Sequence, residues 1–367
     1  MKVNTLLAMD IGGGTQDLLF WRAEEPMENA VKMVLPAPTQ ALAARIRRAR
    51  EQNKPVHLTG WLMGGGALQR ALQEHVAAGL GVSATPRAAA SLADDPARVK
   101  ALGVLISEAA PAGALALFTS DLNWLALRQA MGLFEITPPE GLAVAVCDHG
   151  YAPNTSNRKF RFAQWESFLA QGGRLKSLIT DRPAPHLTRL AAIKEQAPGA
   201  LVMDTAAAAL WGALQDPAVA ARAGQGLCVV NLGNMHTVGF LVADHRVLGV
   251  YEHHTACLDQ KTLADHISRF AAGALTDQEV FDTKGHGCAR QAQAPCQICG
   301  PVVITGPQRR LAQGLNWQTA VPFGDVMLSG CFGLAAAAQE FWGGDGSGEA
   351  QAEHASPRCA APACRPA

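Results

Sequence analysis

Within residues 6–20, the sequence Asp-Ile-Gly-Gly-Gly-Thr lies between two short apolar runs. Apolar runs of strand length on either side of a glycine cluster predict a strand, a tight turn and a second strand. The first strand would end at Asp10, and the glycines after it let the backbone approach a ligand closely, with amides free to face phosphate oxygens. A plain tight turn has the same pattern, so this hairpin alone does not identify a phosphate site.

A second copy of the pattern begins 221 residues later. Residues 227–242 again form an apolar run that meets a short polar residue, Asn231, turns at Gly233 and continues as an apolar run after Thr237. Two such hairpins predict two similar half-domains that face each other across a cleft. Each hairpin would then hold one side of the phosphates of a nucleotide.

Three further motifs accompany the hairpins, at residues 203–212, 302–310 and 327–336. They are an acidic residue before Thr-Ala-Ala-Ala, a strand that runs into Thr-Gly-Pro-Gln-Arg, and a helix rich in glycine and alanine. In this order, over residues 5–340, the five motifs resemble those of the actin-like ATPase superfamily, which includes actin, the 70-kDa heat-shock chaperones and the sugar kinases. The resemblance implies an α/β protein with a two-lobed actin-like ATPase (ribonuclease H-like) fold and a nucleotide cleft between the lobes.

The motif order also predicts the domain organisation. Residues 1–200 would form the first lobe, with the first phosphate hairpin and an inserted subdomain. Residues 201–341 would form the second lobe, with the second phosphate hairpin, the adenosine motif and a short insert at 243–300 that is rich in cysteine and histidine. Residues 342–367, rich in Gly, Ser, Ala and Pro, predict a disordered tail.

The resemblance implies a role for each loop. Asp10 would bind Mg²⁺ through water, because Mg²⁺ prefers carboxylates and retains several waters; the alternative role for this residue is a turn cap. The adenosine would contact Gly306, where glycine permits close approach of the base, and Arg309, which can stack on it. Phosphate would be bound by residues of both hairpins, namely Gly12, Gly13, Gly14 and Thr15 from the first, and Gly233, Met235, His236 and Thr237 from the second.

Four more polar residues are candidates for the same site. Asn231 stands where the similar proteins carry Asp, and since it adds no negative charge we expect weaker Mg²⁺ binding and slow turnover. Asp204 either orients the attacking water, as the resemblance implies, or caps the alanine-rich helix. Asp148 and His149 end an apolar strand within residues 142–150, and open α/β sheets bind ligands at such strand ends. In a kinase, Asp148 would take the proton from a substrate hydroxyl.

Residues 305–309 and 147–150 resemble a branch of the superfamily that is labelled as pyruvate formate-lyase activating enzymes. That label implies a radical-SAM activase, whose iron–sulfur cluster is held by cysteines spaced C-x3-C-x2-C. No such run is present, and the nearest one, Cys288, Cys296 and Cys299, has seven residues in its first gap. The sequence therefore argues against radical-SAM chemistry.

Composition limits the classes of partner. The formal net charge is zero and no basic stripe is present, so we expect no nucleic-acid partner. No apolar run reaches membrane length and the N-terminal run is too short for a signal peptide, so we expect a cytoplasmic protein with no membrane partner. Nine cysteines, an odd number, do not predict a disulfide framework.

The insert at 243–300 contains two groups of potential metal ligands: His253, His254 and Cys257, and then His286, Cys288, Cys296 and Cys299. Cys296 and Cys299 have the spacing of half a zinc knuckle, and Cys288 with His286 would complete four ligands. Zinc, an iron–sulfur cluster shared across a homodimer, and no metal remain open alternatives.

We therefore expect a protein that binds ATP with Mg²⁺, hydrolyses it slowly and acts as an activator or maturation factor for a partner protein. The chaperone-like helix at 203–212 and the absence of a substrate-binding signature favour this function. One alternative is a small-molecule kinase with Asp148 as its base. Another is a non-catalytic nucleotide sensor, which Asn231 favours.

Overall fold

The computed structural model describes residues 3–153, 155–292, 294 and 300–343. In chain order its strands are β1 (Thr5–Ile11), β2 (Thr15–Arg22), β3 (Val31–Pro36), β4 (Val56–Gly60), β5 (Val82–Ala84), β6 (Val104–Ile106), β7 (Leu115–Thr119), β8 (Gly141–Val146), β9 (Ile179–Thr180), β10 (Leu201–Met203), β11 (Leu227–Leu232), β12 (His236–Ala243), β13 (Arg246–His254), β14 (Gly287–Arg290), β15 (Val302–Thr305) and β16 (Gln318–Thr319). Its α-helices are α1 (Pro38–Glu51), α2 (Ala67–Ala77), α3 (Pro86–Ala89), α4 (Pro96–Ala101), α5 (Trp124–Gly132), α6 (Asn157–Ala170), α7 (Thr188–Gln196), α8 (Thr205–Ala213), α9 (Pro217–Ala220), α10 (Gln260–Ala271), α11 (Asp277–Asp282) and α12 (Ser329–Gly343).

The first sheet has the strand order β3-β2-β1-β8-β10-β9. β1, β2 and β3 form an antiparallel meander, whereas β8 runs parallel to β1 and β10 runs parallel to β8. β1 and β8 are central and almost wholly buried, since apolar residues cover both of their faces. Their carboxyl ends lie side by side, with Asp10 paired to Ala145.

The second sheet repeats this arrangement in the order β14-β13-β12-β11-β15-β16. β11, β12 and β13 form the antiparallel meander, and β15 runs parallel to β11. The β1–β2 and β11–β12 hairpins therefore occupy equivalent places in the two sheets. An antiparallel meander whose first strand pairs in parallel with later strands is the ribonuclease H-like order. Its duplication confirms the predicted two-lobed actin-like ATPase fold.

A smaller sheet is inserted in the first lobe between β3 and β8. Its order is β6-β5-β4-β7 and all of its strands are parallel. The helix α1 begins with Pro38 at its first turn, where the missing N–H costs nothing, and it buries Leu42, Ile46 and Ala49 on one face. These side chains belong to a hydrophobic core that is distinct from those of the two main sheets.

Two helices pack on each other at the centre of the molecule. α8 contacts β11 of the second sheet, α12 contacts β1 of the first, and both contribute to one shared core. Glycine is required where they cross: a Cβ at Gly212 would lie 1.8 Å from Ser329 O, and one at Gly333 would lie 1.9 Å from Ala208 O. This close crossing brings the N-terminal ends of α8 and α12 beside the two hairpins.

The elements near the predicted boundaries at residues 200 and 243 belong to the two main sheets. β10 still belongs to the first sheet, and the segment 243–300 supplies β13 and β14 to the second sheet besides α10 and α11. The predicted tail from residue 342 lies outside the described residues, except for the end of α12. Within the described part of the chain, no helix combines the length and the apolar character needed to cross a membrane.

Candidate functional site

A cavity of about 380 Å³ lies between the two hairpins, within the size range of small-molecule sites. Its walls come from both lobes, the inserted subdomain and the N-terminal ends of α8 and α12. The structure brings nine of the sequence-predicted residues to this cavity: Asp10, Gly12, Gly13, Thr15, Asn231, Gly233, Met235, His236 and Gly306. The candidate His149 lines it as well.

The two hairpins close in the same way. Gly12 N donates to Thr15 O at 2.9 Å, and Gly233 N donates to His236 O at 3.0 Å. The loops face each other so closely that a Cβ at Gly13 would lie 2.6 Å from Met235 Cγ. Glycine at position 13 thus permits the approach of the two lobes, besides leaving the backbone open to a ligand.

Two buried carboxylates lie at the floor of the cavity. Asp10 and Asp17 are paired across the β1–β2 hairpin, and both Oδ1 atoms are buried without a hydrogen-bond partner among the described residues. Burial, and then the charges of Asp17 and Asp204, hold the pKa of Asp10 well above its usual range. Burial raises the pKa of Asp17 to about 6. Unpartnered carboxylate oxygens are the donors that a hard divalent cation takes, so the residues present fit Mg²⁺.

Asp17 was not among the predicted site residues. Its position in the predicted hairpin could have identified it, because two antiparallel strands joined by a tight turn after Ile11 place Asp17 opposite Asp10.

Asp204 does not line the cavity. Its Oδ1 accepts a hydrogen bond from Ala206 N at 2.9 Å and so caps α8. Arg161 Nη1 donates to Asp204 Oδ2 at 2.8 Å, and the same buried guanidinium donates through Nε to Glu252 Oε1 at 2.7 Å. Asp204 is therefore joined to a buried ion-pair network that spans the two lobes.

Asp148 does not line the cavity either. Its carboxylate accepts three backbone hydrogen bonds, from Gly150 N at 2.8 Å and from Arg189 N and Leu190 N at 2.9 Å each. The last two belong to the first turn of α7, so Asp148 caps that helix. Burial raises its pKa against the effect of these bonds.

The remaining predicted residues take other positions. Thr237 is buried, and its hydroxyl lies 3.1 Å from Thr255 Oγ1. Arg309 donates to the carbonyl of Gly306, which has a φ of +95°. A Cβ at Gly306 would lie 2.5 Å from Asn231 Oδ1, so glycine is required for this turn to approach the second hairpin. Gly14 lies against the side chain of Asn234.

The structure separates two of the predicted metal ligands. The thiol of Cys288 donates to Leu275 O at 3.7 Å within an apolar core, and burial raises its pKa to about 12. His286 instead lies beside the cavity wall that carries His236. Cys296 and Cys299 lie outside the described residues.

Four imidazoles meet at this wall, from His149, His236, His254 and His286. Burial lowers the pKa of His236 to about 4 and that of His286 to about 3. Burial also lowers the pKa values of His149 and His254. All four rings are therefore uncharged at neutral pH.

Glu252 and Arg161 also lie at this wall, and the sequence analysis missed both. Glu252 is fully buried and accepts from Trp165 Nε1 at 2.9 Å besides its pairing with Arg161. The available signal was an acidic residue directly after the apolar run of residues 247–251 in β13.

Comparison with known proteins gives a family for most of the chain. A family model described as "Putative pyruvate format-lyase activating enzyme (DUF1786)" matches residues 63–311, which is more than half of the chain. No curated protein matches the sequence.

Among solved structures the chain is similar to an exopolyphosphatase-like protein, with 11% identity and a TM-score of 0.31 over 86% of this chain and 71% of that chain. It is also similar to the ethanolamine utilization protein EutJ from Carboxydothermus hydrogenoformans, with 10% identity and a TM-score of 0.30 over 91% and 90% of the two chains. A PPX-GPPA enzyme from Aquifex aeolicus is 9% identical, with a TM-score of 0.29 over 83% and 69%. These similarities are too remote to assign the site.

The described residues do not fit the iron–sulfur cluster that the family's description implies. The described cysteines are Cys147, Cys228, Cys257, Cys288 and Cys331, and no three of them lie within reach of one metal. We derive no radical chemistry from the description.

Proposed function

The chain belongs to the family whose model it matches, and we propose that it binds ATP with Mg²⁺ between its two hairpins, hydrolyses it slowly and acts on a partner protein. The observation that carries this proposal is the cavity floor. Two glycine hairpins from different lobes face each other there, above carboxylate oxygens that have no partner among the described residues.

The backbone amides of the two hairpins would bind the phosphates, since glycine leaves them accessible. Asp10 and Asp17 would hold Mg²⁺, which neutralises phosphate charge when bound. The turn at Gly306 would receive the adenosine. Asn231 lines the same cavity without a negative charge, which supports weak cation binding and slow turnover.

A role on a partner protein would use closure of the two lobes on nucleotide binding, and the placement of the phosphate loops supports such closure. Because the two hairpins belong to different lobes, a nucleotide that contacts both favours a closed arrangement over an open one. Closure can be read by small-angle X-ray scattering as a smaller radius of gyration with ATP and Mg²⁺ than without. An unchanged radius would contradict this part of the proposal.

The central test is calorimetric titration of the full chain with ATP and Mg²⁺, using Asp10→Asn and Asp17→Asn. Asp265→Asn is the matched control, because that carboxylate lies on the surface of α10 with 56% of its side chain exposed. We expect binding in the wild type and the control, and its loss in Asp10→Asn and in Asp17→Asn, because both carboxylates would hold the Mg²⁺. Equal binding by Asp10→Asn, or no binding by well-folded wild type, would overturn the proposal.

The non-catalytic sensor remains a second candidate, because Asn231 favours it. Phosphate release measured on the same samples separates the two functions. Release that depends on Asp10 supports an ATPase, and binding without release supports the sensor. Nothing in the geometry favours the kinase, because the carboxylate of Asp148 is occupied by three backbone amides outside the cavity.

A further inference from the structure

Five potential metal donors converge from distant parts of the chain. Cys147 and His149 follow β8 in the first lobe, whereas His236, His254 and His286 lie at the ends of β12, β13 and β14 in the second. The ring centroids of His236, His254 and His286 are 4.7–5.1 Å apart. His149 lies 5.1 Å from His236, measured between the same centres.

The donor atoms themselves are close together. One donor atom from each of His236, His254 and His286 lies within 4.8 Å of the others, and the same holds for Cys147, His149 and His236. His236 belongs to both groups. The thiol of Cys147 lies 3.6 Å from Nδ1 of His236, so the two groups form one continuous set of donors.

His286 is buried with both ring nitrogens unpaired within the described part of the chain. Its side chain is only 2% exposed, and neither ring nitrogen has a hydrogen-bond partner among the described residues. Buried polar atoms are almost always paired with protein groups, ordered water or a ligand, and here the unpaired nitrogens belong to a cluster of other metal-binding side chains. The nearest rings to it are those of His254 and His236, with centroids 4.7 and 4.9 Å away.

A carboxylate stands behind the cluster. Glu252 is fully buried, and its Oε1 lies 3.6 Å from His236 Nδ1. Arg161 and Trp165 hold Glu252 in place through both of its oxygens.

We propose that the imidazoles of His236, His254 and His286 bind one divalent ion of a late first-row transition metal, of the Zn²⁺ class, and that the thiolate of Cys147 supplies the fourth ligand. Imidazole with a thiolate suits Zn²⁺ and its neighbours in the series, whereas Mg²⁺ and Ca²⁺ take oxygen ligands. This site is therefore distinct in chemistry from the carboxylates at the cavity floor, and it does not depend on the proposed nucleotide function.

The metal would join the two lobes. Zinc–nitrogen bonds of about 2 Å place tetrahedral ligands about 3.4 Å apart, so binding draws the donors inward from their present spacing. Cys147 would then be tied to the second lobe across the wall of the cavity. The site differs from the zinc site expected at His286, Cys288, Cys296 and Cys299, since it shares only His286 with that set.

The test uses the full chain without a histidine tag, stripped with a chelator and titrated with Zn²⁺ in competition with a chromophoric chelator. His254→Gln and His286→Gln remove donors. His253→Gln is the matched control, because this neighbouring histidine bonds Thr283 and a backbone carbonyl and lies outside the cluster. We expect one equivalent of Zn²⁺ in the wild type and in the control, and at least a tenfold loss of affinity in each donor variant.

Two further readouts do not depend on how the donor variants fold. Co²⁺ added to the wild type should give the visible bands of a four-coordinate site, with a thiolate charge-transfer band that Cys147→Ser removes. The double variant Cys296→Ser, Cys299→Ser should bind Zn²⁺ as the wild type does. Absence of stoichiometric binding to folded wild type, a six-coordinate Co²⁺ spectrum, or loss of binding in the double variant would each overturn the proposal.

Discussion

Gly330 lies at the start of α12, directly against the carboxylate of Asp10. A Cβ atom added at Gly330 would lie 1.9 Å from Asp10 Oδ2 and 2.6 Å from its Cγ. The backbone of Asp10 cannot yield, because β1 is paired with β2 on one side and β8 on the other. Gly330→Ala should therefore drive the carboxylate out of its buried position and destabilise the fold.

Two opposing terms set the size of the effect. Alanine favours a helix over glycine by about 1 kcal/mol. The contact with Oδ2 must open by about 1.5 Å to reach ordinary van der Waals distance, and overpacking of this kind costs about 1–3 kcal/mol. Since the clash is severe and the strand is fixed, we expect the free energy of unfolding to fall by about 2 kcal/mol.

A double-mutant cycle isolates the cause. In an Asp10→Ala background the nearest remaining atom of residue 10 is its Cβ, 3.0 Å away, so Gly330→Ala should cost about 2 kcal/mol less there. Gly343→Ala, at the other end of α12, is the matched control because its Cβ would meet nothing within 4 Å.

The assay is equilibrium urea unfolding followed by circular dichroism, with ATP and Mg²⁺ binding measured on the same proteins. Gly330→Ala should lose nucleotide binding together with stability, whereas Gly343→Ala should keep both. An equal cost of Gly330→Ala with and without the Asp10 carboxylate would refute the reasoning. A cost no larger than that of Gly343→Ala would do the same.

Three other perturbations test separate parts of the structure. Arg161→Met leaves two buried carboxylates without their counter-charge and should lower the free energy of unfolding by about 3–5 kcal/mol, whereas Arg182→Met, whose side chain is 91% exposed, should leave it unchanged in the same urea assay. Asn231→Asp adds a charge to the cavity and should tighten Mg²⁺-dependent ATP binding by about tenfold in calorimetry; an unchanged Mg²⁺ dependence would count against a cation at the cavity floor. Burial, and then the charge of Arg50, lower the pKa of His75 below its value in the unfolded chain. The free energy of unfolding is therefore highest above about pH 6.5 and falls below that pH, because the unfolded chain then takes up a proton that the folded chain does not. His75→Leu should therefore reduce the loss of stability between neutral and mildly acidic pH, and parallel pH profiles would exclude this assignment.

Both hairpins could be predicted from local sequence, and the structure places strands, turn and return strand where the pattern indicated. The reason is that apolar runs and a glycine turn act within some fifteen residues, so neighbours in sequence decide the outcome. The matching bonds from Gly12 to Thr15 and from Gly233 to His236 follow from that local equivalence. The two hairpins and three further motifs predicted the two-lobed fold because their order resembles that of the actin-like ATPase superfamily.

Asp148 shows where this reasoning ends. Its position at the carboxyl end of β8 predicted a site residue, and its neighbour His149 does reach the cavity. The carboxylate of Asp148 instead caps α7, which begins some forty residues later in the chain. Which way the side chain turned depended on where that helix packed, and no local pattern carries this information.

The sequence by itself therefore determined the duplicated hairpins and the glycine loops of the cleft, because these follow from short-range periodicity and turn chemistry. The fold class followed from the resemblance of the five ordered motifs to the actin-like ATPase superfamily. Only the tertiary structure decided that Arg161 joins Asp204 to Glu252, and that the histidines from four segments share one wall. These groups are brought together by strand register within each sheet and by the packing of one lobe on the other. Such contacts link residues that are far apart in the chain, as Arg161 and Glu252 or His149 and His286 are.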